Sequence, residues 1–182
     1  MKFPDGFLIG MEIEFCIPNE RYASFITKSR PMRDLTNWER DEEGGLAPRE
    51  PARQIEMRLS RPVNFFCISE LAGLLRCIKA HDGFTTRRCG LHIHVSHPDS
   101  GVIEHLRVRL VDVLWCIKPF PERACYCLWT TNEVQRYRAI NVISPNRFEV
   151  RLFNGTLKLR GILHALGLIH KEALRLQAGH KP

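Results

Sequence analysis

The chain has 182 residues, 44% of them hydrophobic and 26% charged, with a formal charge of +7. Such a length and composition suit one globular domain, 1–182, rather than a disordered chain, and the basic balance favours an anionic partner: a nucleotide, nucleic acid or acidic surface. No apolar run approaches membrane-spanning length, Met1-Lys2-Phe3-Pro4 is no signal-peptide core, and seven scattered cysteines suggest a reducing cytoplasm with mostly buried thiols.

In chain order, FLIGMEIEF at 7–15 alternates after its glycine and is expected to be a strand. Residues 17–35 are polar and irregular, with Pro18 and Pro31, and read as a loop or lid. A weak strand through Trp38 leads into an acidic turn, DEEGG at 41–45, and QIEMRLS at 54–60 is a second alternating strand stopped by Pro62. Ile68, Leu71, Leu75 and Ile78 then recur at helical spacing, with Asn64 as N-cap and an end near Asp82-Gly83.

The strand CGLHIHVS at 89–96 follows, and Ile103, Leu106, Leu110, Leu114 and Ile117 predict a helix closed by Pro119 and Pro121. RYRAINV at 136–142 and RFEVRLF at 147–153 read as strands joined at Ser144-Pro145-Asn146. The last helix sets Ile162, Leu166, Ile169, Ala173 and Leu176 against Arg160, His164, Lys171 and Arg175.

Residues two apart on a strand share a face. Met11, Ile13 and Phe15 therefore oppose Glu12 and Glu14; Ile55, Met57 and Leu59 oppose Glu56 and Arg58. Leu91, Ile93 and Val95 oppose His92 and His94, and Phe148, Val150 and Leu152 oppose Glu149 and Arg151. If these strands form one sheet, three amphipathic helices cover its greasy face. The other face then collects carboxylates, imidazoles and guanidinium groups.

Two carboxylates about 6.6 Å apart repel by about 2.5 kcal/mol at an effective dielectric near 20. A cleft holding several of them recruits cations, and hard oxygen donors with one imidazole suit Mg²⁺ or Mn²⁺ carrying a polyphosphate. No P-loop or dinucleotide fingerprint is present, so a nucleotide would have to use this sheet face. Other readings compete. His92 and His94 with Cys89, Cys125 or Cys127 would make a zinc site, although Cys-x-Cys lacks a second pair. A metal-dependent hydrolase would use the same groups to activate water. A binding module would use the +7 charge and the basic last helix to hold an acidic partner or nucleic acid.

The series GMEIEF, IEMRLSRP, CGLHIHVS, RYRAIN and FEVRLFNGTL, in this order over residues 7–157, resembles the amidoligase family. These are ATP-dependent carboxylate–amine ligases of the glutamine synthetase and glutamate–cysteine ligase type. The resemblance implies an α+β fold, a curved and mainly antiparallel sheet with helices packed on one face. It implies an amide-forming reaction through an acyl phosphate, with ATP and Mg²⁺ or Mn²⁺ as cofactors. The partners would be a carboxylate, borne by a small molecule, peptide or protein, and an amine acceptor, with an oligomer compatible and nucleic acid disfavoured.

By motif position Glu12, Glu14, Glu56, His92 and Glu149 resemble the metal ligands. Arg151 matches the arginine that steadies the transferred phosphoryl group, and Glu56 and Arg138 join it as catalytic candidates. His94, Asn141 and Arg151 would bind the nucleotide. Asp41 and, within FPERACYCLW at 120–129, Arg123 stand nearest to the family's acceptor-pocket groups. The alternative is a catalytically inactive amidoligase-like module that binds an acidic partner or nucleic acid.

Overall fold

The computed structural model describes residues 1–35, 38–41, 52–126 and 138–179. Strand β1 (Leu8–Pro18) leads into helix α1 (Asn19–Leu35) and then strands β2 (Trp38–Asp41) and β3 (Ala52–Leu59). Helix α2 (Ile68–Ala80), strand β4 (Gly90–Ser96) and helix α3 (Ser100–Leu114) follow. After a short 3-10 helix at Pro121–Tyr126, strands β5 (Ile140–Ser144) and β6 (Arg147–Asn154) precede helix α4 (Leu159–Gly179). The strands make one six-stranded sheet in the order β2-β3-β1-β4-β6-β5, and every pairing is antiparallel. This is the expected α+β class.

Alternation dictates which side of the sheet is covered. Met11, Ile13, Phe15, Met57, Ile93, Val95, Phe148 and Val150 join one apolar core with Leu71, Leu74 and Ile78 of α2. Ile103, Leu106 and Leu110 of α3 and Ile162, Leu166 and Ile169 of α4 complete that core. The basic residues Arg160, His164, Lys171 and Arg175 of α4 are exposed, as their spacing predicts.

Three expectations are overturned. Residues 19–35 are a helix, not a loop or lid. The polar composition hides an i, i+3, i+4 set, Tyr22, Phe25 and Ile26, that packs on the core. Phe25 is fully buried, with its ring edge-on to Phe15 at 5.8 Å and to His81 at 5.6 Å. Asn64 is not a helix cap: Cys67 holds that position, and the Asn64 amide donates to the carbonyls of Phe3, Pro4 and Phe7 at 3.1, 3.2 and 3.0 Å. Among the described residues the thiols are not mostly fully buried either: Cys16 and Cys89 are buried, Cys67 and Cys77 half-buried and Cys116 exposed.

Boundaries also move. Strand β5 starts at Ile140 and runs to Ser144, so the turn tightens to Pro145-Asn146, while α3 ends at Leu114, ahead of both prolines. The strand through Trp38 is present. Most of the acidic 41–45 segment, and residues 136 and 137, lie outside the described residues. No described helix is long and apolar enough to cross a membrane.

Candidate metal and anion centre

Register brings the polar residues of four strands onto one face. Glu12 stands opposite Arg58 on one side and His92 on the other, and Glu14 stands opposite Glu56. His94 pairs with Gly10 on β1 and with Glu149 on β6, and Asn141 of β5 pairs with Glu149. A Cβ at Gly10 would come within 3.2 Å of the His94 Cβ, so the glycine keeps room for the imidazole. Opposite His92, β6 carries an extra residue: His92 alone separates Leu91 from Ile93, whereas Arg151 and Leu152 separate their partners Val150 and Phe153. Such bulges re-aim side chains, and this one lies beside the Glu12, His92 and Glu149 group.

Glu12 is the hub. Its Oε2 lies 3.1 Å from His92 Nδ1 and its Oε1 lies 2.8 Å from His94 Nε2. His92 Nδ1 is also 3.4 Å from Glu149 Oε1. Both neighbours of that nitrogen are carboxylate acceptors, and in the tautomer with the proton on Nδ1 the ring presents Nε2 as an acceptor. Nε2 lies 3.6 Å from Glu14 Oε1. Two acceptors facing each other suit a bridging cation, and the carboxylate on the far ring nitrogen is the usual support of a metal-binding imidazole. Glu14 is fixed from behind, its Oε2 accepting the Gly90 N–H at 2.6 Å.

Glu149 is held from the other side. Arg151 donates to its Oε1 at 2.9 Å and Asn141 to its Oε2 at 3.3 Å. The Arg151 backbone N–H donates to the Ala139 carbonyl at 2.9 Å, which brings Arg138 and β5 against this end of the site. His92, His94 and Glu149 are all buried. Burial alone would push the Glu12 carboxyl up; hydrogen bonds from both imidazoles, and the charge those rings carry when protonated, outweigh it and hold the group well below the usual carboxylate range.

Among the described residues, two sets each bring their donor atoms within 4.8 Å of one another: Glu12, Glu56 and His92, and Glu12, His94 and Glu149. Oxygen-rich sets with one imidazole match the donor chemistry of Mg²⁺ or Mn²⁺. Every metal-ligand and nucleotide-binding candidate named by the amidoligase resemblance thus lies on this face, with Arg138 at its β5 margin and Arg58 exposed across from Glu12. Cys89 does not join them: its sulfur accepts from the Thr86 N–H and lies against Cys16. The Cys125 side chain and Cys127, like the side chains of Asp41 and Arg123, lie outside the described residues.

One participant was missed. Arg147 donates to His94 Nδ1 at 3.1 Å. The signal was available, since positions 147, 149 and 151 share a strand face. No protein-family model and no curated protein matches the chain.

Proposed function

We propose that the chain is an ATP-dependent carboxylate–amine ligase with a glutamine synthetase-like catalytic fold. One observation supports this above the others: Glu12, His92, His94, Glu149 and Arg151, from three strands and 140 positions of sequence, form one hydrogen-bonded group on a single sheet face. Glu12, Glu14, Glu56, His92 and Glu149 would hold divalent Mg²⁺ or Mn²⁺, which when bound neutralises triphosphate charge. Arg151, steadied by Glu149, and Arg138 beside it direct guanidinium groups at the phosphoryl group that moves to the carboxylate. Asn141 and His94 orient the nucleotide. The acyl phosphate is then attacked by the amine, giving amide, ADP and phosphate.

The test is ADP release with Mg²⁺ or Mn²⁺ across panels of carboxylates and amines. Release that requires one of each, with an amide among the products, is expected. Cleavage of a phosphodiester or peptide would favour a hydrolase. Salt-sensitive binding to generic DNA or RNA, unchanged in Glu12→Ala and without any turnover, would favour a binding module built on the same fold.

A further inference from the structure

The two imidazoles of β4 are chemically unlike, and Arg147 is the reason. A guanidinium only donates hydrogen bonds, so its approach to His94 Nδ1 at 3.1 Å makes that nitrogen an acceptor. The ring proton then sits on Nε2, where it points at Glu12 Oε1 at 2.8 Å. His94 can ligate a cation through Nε2 only by moving that proton to Nδ1, straight into the Arg147 N–H. His92 is oriented the opposite way, with carboxylates around Nδ1 and Nε2 turned towards Glu14.

The geometry of Arg147 also argues for a fixed position. It enters from the first residue of β6, opposite Ser96 in the ladder, and its Nε is buried with no hydrogen-bond partner among the described residues. Among the described residues, its hydrogen bond goes to His94. Of the two overlapping donor sets, the one containing His94 thereby loses Nε2 as a ligand atom, whereas Arg147 makes no such contact with His92.

We propose that Arg147 is a positioning residue that locks His94 as a hydrogen-bond donor to Glu12 and keeps it out of the cation's ligand set. The ligand-set half of this rests on the cation site of the proposed function; the tautomer half does not. Removing the guanidinium would free His94 to exchange tautomers and to compete as a second imidazole ligand, moving the site towards nitrogen-preferring cations.

The experiment has two arms. Long-range ¹H–¹⁵N spectra of metal-free protein, with His94→Gln to assign the ring, should show His94 protonated on Nε2. Arg147→Lys, which retains a donor, should keep that state, and Arg147→Met should give a mixture. Pulsed EPR with Mn²⁺ alone should then count one coupled imidazole nitrogen in the unaltered protein and two in Arg147→Met. A His94 proton on Nδ1, an unchanged tautomer in Arg147→Met, or two coupled imidazoles in the unaltered protein would overturn the proposal. If Arg147→Met does not fold, the spectrum of the unaltered protein still decides the tautomer. Absence of any bound Mn²⁺ would remove the cation site, and with it the ligand-set half, while the metal-free spectra judge the tautomer separately.

Discussion

Both faces of the central strands hold residues shielded from water, by opposite means. Ile13, Ile93 and Val150 are 0% exposed beneath the helices, while on the other face of the same strands His92 is 2%, His94 7% and Glu149 4% exposed. The apolar face gains free energy simply by being covered, at about 25 cal/mol per Å². The polar face gains little, because each buried charge or imidazole must first be stripped of water and then matched by a partner. Here the matching is dense: Glu12 serves two histidines, and Glu149 serves an arginine and an asparagine. This density of buried polar partners is the feature on which the proposed function rests.

The contrast can be broken most forcefully from the apolar side. Ile93→Ala should lower unfolding free energy by about 2–5 kcal/mol in urea titrations. A loss below about 1 kcal/mol would mean that the helix layer does not seal this face. The mirror experiment is Arg151→Gln, for which ADP release should fall about 100-fold or more. Its unfolding free energy should fall by about 1–3 kcal/mol, because a part-buried guanidinium is removed from the buried Glu149 carboxylate. A large stability loss with activity intact would reverse the roles assigned to the two faces.

Asn64→Ala sharpens the comparison by testing a polar group whose work is structural. It should cost about 1–3 kcal/mol through the carbonyls of Phe3, Pro4 and Phe7, and leave turnover per folded molecule unchanged. For Glu12 the sign follows from its depressed carboxyl: its contribution to stability is complete above the ordinary glutamate range and is lost as pH falls below it. In metal-free buffer, unfolding midpoints should therefore drop more steeply below about pH 4.5 for the unaltered protein than for Glu12→Gln. The smallest effect belongs to the exposed Glu104–Arg107 pair on α3, where Glu104→Ala should change stability by less than about 0.5 kcal/mol.

Much of this contrast was legible in the sequence because strand alternation is local. MEIEF, IEMRL, LHIHV and FEVRLF each declare two faces, and burial beneath three amphipathic helices settles which one is inside. What alternation cannot declare is neighbourhood. That Glu12 would lie between Arg58 and His92, and His94 between Gly10 and Glu149, depends on strand order and register, which are set by long-range pairing. Helix α1 escaped notice because its apolar residues are few and a proline stands within it, so the packing of Phe25 against Phe15 outweighs a weak local preference. Arg147 escaped because an arginine at the edge of a strand is ordinary until a histidine's ring nitrogen is found beside it.

The supernumerary residue of β6 opposite His92 carries a lesson for alignment and redesign. Side-chain direction reverses at every step along a strand, so deleting or inserting one residue between Val150 and Phe153 would exchange inside for outside from that point onward. A gap placed one position off in a comparison with another chain would pair Arg151 with an oil-facing neighbour and hide a shared guanidinium. Segment length here is as much a part of the code as the letters themselves.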